Sequence, residues 1–508
     1  MWIQNRKSCN ETLWLASLAL LIGVSPLAGA ATIGERGAIE AHVEQADVES
    51  GELRLRELFA SGQQLFEARF NTLDGQGRPA STGTGAPRTP DQPAFIRTSA
   101  PESNSCAGCH AQPRAGGAGD FVANVFVLAQ ALDPVTDAVS PGFGNERNTL
   151  GMFGAGPIEM LAREMSRELI AIREAAAVEA SASNAAVTRD LVAKQIGFGR
   201  ITVLPDGRVD PTEIEGVDWD LIVKPFHQKG AVVSIREFTN NAMNHHHGMQ
   251  SVERFGAEQD PDLDGVVDEL TLGDITATTV FQAALPAPGR SISMDQARRR
   301  AAERGEARFA KIGCDSCHVS ALALESRNFT EPNPFNPSGN LQIEDVSEPF
   351  AFDMTVEGPG PHIERIPKGG ALVRAFTDLK RHDLNDANYD HFANEQLPQG
   401  SLVGFADPDD FTVPPAPRPT RAFLTRKLWD AGNSDPYGHR GDLTTLTEAI
   451  YFHGGDARSE RDAFFALSAD DQADVIEFLK SLQVLPRPSN ANLQPESNLH
   501  PNNARSKF

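Results

Sequence analysis

The sequence predicts a mainly α protein made of two c-type cytochrome domains, with long loops and a few short strands. Three observations carry this expectation. The pentapeptide C-x-x-C-H occurs twice, at Cys106-Ala107-Gly108-Cys109-His110 and at Cys314-Asp315-Ser316-Cys317-His318. Two cysteines three apart with histidine next form the covalent attachment signal for c-type haem: each thiol can bond a vinyl group, and the histidine supplies an axial nitrogen to iron. Each motif also sits between a helical stretch and a long loop-rich return. Haem would fill most of each core, so regular structure can be sparse.

The ends of the chain agree with this. Arg6 and Lys7, the apolar run Leu13 to Val24 and the small residues Ala28-Gly29-Ala30 read as a secretory signal peptide, residues 1–30, cut before Ala31. The run is shorter than the roughly 20 residues a membrane span needs, so an uncleaved anchor is the lesser alternative. No other segment is apolar enough to span, and a periplasmic protein is expected. Of five cysteines, Cys9 lies in the leader and the other four all belong to the two motifs, which leaves none for disulfides. The formal net charge is −23. Such a balance argues against nucleic acid and anionic membranes and favours a basic electron-transfer partner or a neutral substrate.

Leu55, Leu58, Phe59, Leu65 and Phe66 recur at helical spacing, and the helix stops at Asp74-Gly75-Gln76-Gly77-Arg78-Pro79. Residues 76–103 read as a surface loop. Gly116 to Gly119 would let the backbone pass close to something bulky, such as a haem edge. Pro157 opens a helix whose stripe is Ile158, Leu161, Met165, Leu169 and Ile172; the Ala/Ser-rich segment 178–190 beyond it reads as exposed. Alternation over 201–223 predicts short strands, and 234–247 a helix running into His245-His246-His247. A Pro/Gly/Ala linker at 283–290 divides an N-terminal domain, 31–285, from a C-terminal one, 286–485. Met294 to Ile312 is a helix leading into the second motif, and 331–425 is mostly loop. Ser468 caps a last helix with Val475, Ile476, Leu479 and Leu482 inward. The tail 486–508 reads as disordered.

Four thiolates could in principle hold zinc, but zinc gives no reason for histidine at the same offset in both motifs. His110 and His318 are therefore proximal haem ligands, and two haem c groups are expected. The sixth ligands decide function: two strong ligands make an electron carrier, while an open position can bind an oxidant. Residue type alone does not choose them. Asp260, Asp262, Asp264, Gly265 and Asp268 match the first half of an EF-hand-type loop, a possible calcium site. Its twelfth position is Thr271 rather than glutamate, with Glu269 as a substitute; the alternative is a solvated acidic turn.

Pro436-Tyr437-Gly438-His439-Arg440-Gly441 followed by Thr445-Leu446-Thr447-Glu448-Ala449-Ile450 resembles the C-terminal signature of the bacterial di-haem cytochrome c peroxidases. That signature is a Pro-Tyr-aromatic-His-Asp-Gly turn and a Thr-Leu-Glu-Glu-Ala-Val helix. Phe423-Leu424-Thr425 with Leu428-Trp429, Lys380-Arg381-His382-Asp383 and Gly154-Ala155-Gly156 are similar to the di-haem oxidoreductase branch of that superfamily. The resemblance covers most of the mature chain and is most specific from 420 to 482. It places the second haem's distal ligand 14 residues after the turn histidine, which is His453. It thus implies a bis-histidine haem between His318 and His453, a low-spin relay, with His439 near a propionate or the inter-haem path and Met354 as the fallback ligand. Histidine in place of methionine should lower the potential, because the softer thioether favours Fe(II).

For the first haem, the family's distal histidine falls 16 residues after His110, at Phe126, so the iron is either open or ligated from far along the chain. Pro225 to Gly230, leading to Ser234-Ile235-Arg236-Glu237, resembles the family's distal segment. That segment ends in a catalytic glutamate before a methionine; here Gly248 precedes Met249. The acid/base role then passes to His246 or His247, since imidazole titrates near neutrality. Gln228, where the branch often carries Trp, joins this distal set. The alternatives for the histidine run are ligation of the first iron or a surface cluster. The resemblance implies reduction of hydrogen peroxide at the first haem, fed through the second by a small redox protein of cytochrome c or cupredoxin type, with calcium between domains. A dioxygen-using di-haem oxygenase or protein-modifying oxidase, and a non-catalytic electron-transfer cytochrome, are the other classes.

Overall fold

Two helix crossings organise the molecule, and each is made at a glycine. The computed structural model describes residues 34–76, 103–124, 146–260, 264–386, 396–398, 417–419 and 422–486. Helix Leu55–Glu67 buries Leu58, Leu65 and Phe66 against helix Leu272–Ala283, which a Thr271/Asp274 capping box starts. A β-carbon on Gly62 would stand 2.0 Å from the Ala277 carbonyl oxygen and 2.7 Å from the Phe281 Cβ. Helix Gln296–Lys311 meets helix Ala469–Ser481 in the same way. There a β-carbon on Gly305 would stand 1.9 Å from the Asp474 carbonyl oxygen and 2.9 Å from the Phe478 Cβ. Only a residue without a side chain lets two backbones come this close.

The repetition goes further. Phenylalanine follows each glycine by four residues, Phe66 and Phe309, and so lies on the same helix face. Phe66 packs on Phe281 with ring centroids 5.1 Å apart, and Phe309 on Phe478 at 5.4 Å. Their facing residues are again four apart, Ala277 to Phe281 and Asp474 to Phe478. One difference is electrostatic: Asp474 also binds Arg304 and Arg308 of the facing helix, at 2.6 and 2.8 Å.

Between the crossings runs helix Ala155–Ser183, longer than its apolar stripe predicts. Ala155 to Ser166 are buried without a break. The Ala-rich end expected to be exposed stays helical and buries Ala176 and Ala180 under the hairpin Val187–Ala193 and Ile196–Val203. The strands expected from residue 201 thus begin at 187; the turn at Lys194 and Gln195, with φ of 48° and 69°, suits the twist of a tight hairpin. Seven sheets of two or three strands occur among the described residues, so these residues are mixed helix and sheet, with more strand than the few expected. The main core draws on Leu58, Leu161 and Val280 and also on Phe329, Phe352 and Trp429, so it spans both halves of the chain. The residues from Gly37 onward form one compact unit.

Gly117 and Gly119 allow a close approach of backbone to backbone. A β-carbon on Gly117 would meet the Gln112 carbonyl oxygen at 1.8 Å, and one on Gly119 the Cys109 carbonyl oxygen at 2.0 Å. The glycines fold the chain back onto the first motif's own backbone. Among the described residues no helix is long and apolar enough to cross a membrane. The expected signal peptide, most of the expected loop, Phe126 and the expected tail fall on residues 1–33, 77–102, 125–145 and 487–508, which lie outside the described residues.

Alanine at Gly62 or Gly305 must push its helix pair apart. The expected loss is about 1–3 kcal/mol from overpacking, partly offset by about 1 kcal/mol of helix propensity. Thermal unfolding of each holoprotein variant should show a lower midpoint than wild type, and the double variant a larger drop.

Candidate functional site

A cavity of about 490 Å³ runs between the two motifs and is lined by residues of both. Eight histidines reach it: His110, His227, His246, His247, His318, His382, His439 and His453. Four of them donate Nδ1–H to a backbone carbonyl, His247 to Ser103 and three others as follows. The Nδ1–H of His110 donates to the Leu150 carbonyl at 3.0 Å, that of His318 to the Phe376 carbonyl at 3.1 Å, and that of His453 to the Ala449 carbonyl at 2.7 Å. Such a bond fixes the tautomer and leaves Nε2 as the ligand nitrogen. Burial pushes His110 and His318 down to about 4, with His246 adding to the effect at His110 and His453 at His318. Burial lowers His453 as well. All three rings are therefore neutral near pH 7, the state in which imidazole binds metal.

The aromatic pairs at the helix crossings end on the proximal histidines. Phe66 lies 6.1 Å from His110 at 52°, and Phe309 lies 6.1 Å from His318 at 53°. On the other side of His318, the His453 ring is 6.4 Å away. His453 stands just beyond helix Leu446–Tyr451, which a Thr445/Glu448 capping box anchors. Met354 is instead buried in the main core, against the position of Gly156.

The histidine run is carried by a π-helical turn, Met243–His247, at the end of helix Ile235–Ala242. A π turn inserts a residue and rotates the side chains beyond it, and such turns gather at functional sites. His247 is 3% exposed; its Nδ1–H donates to the Ser103 carbonyl at 2.7 Å and its Nε2 lies 3.3 Å from the Cys106 sulfur. That ring is committed to the first motif's thiol. Gly248, where the resemblance expects an acid, has φ +71° and ends the π turn; a side chain there would be strained. Met249 is fully buried in a satellite core.

Gln228 and His439 come from opposite halves and meet: the His439 Nδ1–H donates to the Gln228 side-chain oxygen. Phe423 stands edge-on to His439 at 5.3 Å, and the buried Lys229 ammonium sits 3.6 Å over the same Phe423 ring. The chain's charge is −23, yet the cavity is lined by Arg147, Lys229, Arg426, Lys427 and Arg461 against only Asp456 and Glu460. Lys427 donates to the Gly151 carbonyl at 2.7 Å, and burial pulls it down to about 8, although Asp430 opposes this. Asp430 is fully buried and neither carboxylate oxygen has a hydrogen-bond partner. A cationic lining in an acidic protein suits a ligand with its own carboxylates, and haem carries two propionates. Paired thiols, neutral imidazoles and an apolar cavity with cationic side chains in its lining fit a haem group. The sequence reading missed Lys229, Arg426 and Lys427, although the last two directly follow Phe423-Leu424-Thr425.

The acidic loop does not converge on a point. Asp260 accepts from the amides of Asp264 and Gly265, Asp264 from that of Val266, and Asp268 from that of Glu258; Asp262 lies outside the described residues. Glu269 turns inward to the Gln250 amide and Thr271 caps a helix. Among the described residues one cluster has ligand atoms within 4.8 Å of each other, Cys317, Asp378 and His382; its thiol belongs to the second motif.

Helix Ile235–Ala242 owes its place to Arg236, which is fully buried. Arg236 donates to Glu331 and to Glu253, both at 2.6 Å, and to Thr276. Arg236→Met leaves two buried carboxylates without their cation. The expected loss is about 3–5 kcal/mol, seen as a lower midpoint in denaturant unfolding.

No family model and no curated protein matches this chain. Among solved structures, the chain is similar to Kuenenia stuttgartiensis hydrazine synthase pressurised with 20 bar xenon, with 15% identity, 90% of this chain and 98% of that chain covered, and a TM-score of 0.30. It is also similar to a MauG-like protein associated with microbial copper homeostasis, with 16% identity, 63% and 88% covered, and a TM-score of 0.24. Likenesses at these scores carry no argument about function.

Proposed function

We propose that the chain is an exported di-haem c-type oxidoreductase that reduces hydrogen peroxide at the first motif with electrons relayed through the second. The observation that carries this is the pairing of His318 with His453. Two imidazole nitrogens each about 2 Å from one metal stand about 4 Å apart, and adding the ring radii puts the centroids about 6 Å apart. The two rings lie at 6.4 Å. The repeated Gly-x-x-x-Phe crossing, ending each time on a proximal histidine, supports reading the halves as two cytochrome domains.

Haem iron, when bound, supplies electron exchange and a site for the oxidant. The chain's residues do the rest. His318 and His453 would together hold one iron and His110 the other, which is where the oxidant would bind. His246 and His247 are the acid/base candidates on the second side; the Nε2 of His247 lies against the Cys106 sulfur, which haem attachment would convert to a thioether. Peroxide takes up two electrons and two protons to become two waters, and His246 would carry a proton from the near oxygen to the leaving one. Gln228 and His439 bind one another between the halves and position the path between the two centres. Calcium at Asp260, Asp262, Asp264 and Asp268 is not needed for this reading. A di-haem oxygenase or protein-modifying oxidase is the second reading, favoured by Gly248, which stands where the resemblance expects the catalytic acid.

The oxidised protein should show one low-spin and one high-spin or exchangeable haem by absorption and electron paramagnetic resonance. His453→Ala should remove the low-spin signal. His246→Ala should retain it and lower peroxide turnover by about 10²–10⁴-fold, the range of general acid/base catalysis. Two low-spin haems indifferent to cyanide and peroxide would refute the proposal; a stable ferrous-dioxygen spectrum with negligible peroxide turnover would favour the oxygenase.

A further inference from the structure

Tyr451 and Phe465 are large rings in contact with each other, 5.9 Å apart, and both are exposed, at 47% and 39%. Neither is isolated from the interior. Tyr451 stands edge-on to Phe452 at 5.2 Å, and Phe465 edge-on to Phe464 at 5.1 Å. Phe452 and Phe464 both line the cavity, and His453 is the next residue after Phe452. Two ring-to-ring steps therefore lead from solvent to the neighbourhood of His318 and His453. Asp315 and Ser316, inside the second motif, are exposed as well, so this end of the cavity lies near the surface.

The charge around the rings is net negative. Glu448 precedes Tyr451 by three residues on helix Leu446–Tyr451, and Asp462 precedes Phe465 by three on helix Arg458–Phe465. Residues three apart are neighbours on a helix surface, so each exposed ring has an exposed carboxylate beside it. Residues 446–465 contain Glu448, Asp456, Glu460 and Asp462 against Arg458 and Arg461. Arg461 is shared between Asp386 and Asp462, and Arg458 also faces Asp386. Single exposed rings are ordinary on a protein surface, but two in contact with carboxylates beside them are suited to a contact site. The apolar patch is small, as transient redox encounters are.

We propose that Tyr451 and Phe465 form the docking surface for a small redox protein whose own exposed cofactor edge is apolar and ringed by lysines. This rests on the relay reading of His318 and His453. One electron passes from the partner, which is oxidised by one unit, to the iron held by those two histidines, which goes from ferric to ferrous; no bond is made or broken. The acidic rim steers the encounter and the rings exclude water from it.

The test uses the two-haem holoprotein and reduced mitochondrial-type cytochrome c, a small lysine-rich redox protein. Complex formation is measured by calorimetry at low salt, and electron transfer by stopped-flow absorbance. Tyr451→Ser with Phe465→Ser should weaken binding and slow the second-order reduction at least tenfold, with the visible spectrum and reduction by dithionite unchanged. Asp462→Lys should weaken binding at low salt and much less at high salt. Wild-type affinity and rate in the serine variant, with the low-spin spectrum intact, would overturn the docking surface alone. A wild-type spectrum without the bis-imidazole signature would overturn the relay reading, and the docking surface with it.

Discussion

Everything in this molecule that touches the cavity depends on two places where helix backbones meet without a side chain between them. Gly62 and Gly305 bring their helices within contact of the Ala277 and Asp474 carbonyls. That closeness sets Phe66 on Phe281 and Phe309 on Phe478, and those pairs in turn stand against His110 and His318. A wider crossing would leave each proximal ring without its aromatic neighbour. The proximal side of each centre is thus fixed by packing, and the carbonyls of Leu150 and Phe376 fix which nitrogen faces the cavity.

The distal sides are built differently, and more of the energy there is electrostatic. Arg236 ties the helix that precedes the histidine run to Glu253 and Thr276 of its own half and to Glu331 of the other. Buried ion pairs of this kind contribute little net stability, because desolvation offsets their attraction. Their value is positional, since a cation shared by two carboxylates tolerates little movement. Gln228 with His439, and Lys229 over Phe423, repeat the pattern at the cavity wall. The cavity therefore lies in a shared core rather than in a cleft between separately packed bodies.

Sequence made the proximal groups legible because their chemistry is written in contiguous residues. A pentapeptide names two thiols and one imidazole, and the helices Leu55–Glu67, Gln296–Lys311 and Ala469–Ser481 are expected from periodicity, from Ala, Arg and Glu content, and from the cap Ser468 with its inward residues, in that order. The repeat of glycine and phenylalanine was visible as Gly62-Gln63-Gln64-Leu65-Phe66 and Gly305-Glu306-Ala307-Arg308-Phe309, but a spacing of four is common in helices and gains meaning only from the facing residues at 277, 281, 474 and 478. The distal side was least legible. No pattern says that His247 turns to Cys106, because a π turn breaks the helical spacing that any sequence reading must assume. Lys229 and Lys427 look like surface residues in a chain of ordinary composition, and only burial reveals them. The acidic run from Asp260 read as a metal loop because it holds carboxylates at ligand spacing; Asp260, Asp264 and Asp268 accept from backbone amides, and Asp262 lies outside the described residues.

The contrast between His453 and His246 bears on why one centre should relay and the other react. His453 stands directly beyond a helix locked by a capping box, with its Nδ1–H on the Ala449 carbonyl of that same helix. Its ring can hardly turn without breaking both. His246 is carried on a π turn that ends at a left-handed glycine, beside a neighbour that points elsewhere. A ligand held rigidly on both sides keeps an iron's coordination the same in both oxidation states, which favours fast electron exchange and excludes substrate. The His246 ring lines the same cavity as His110, where the proposed proton carrier must stand. The same cofactor chemistry would then be divided between two tasks by the backbone under one histidine in each half.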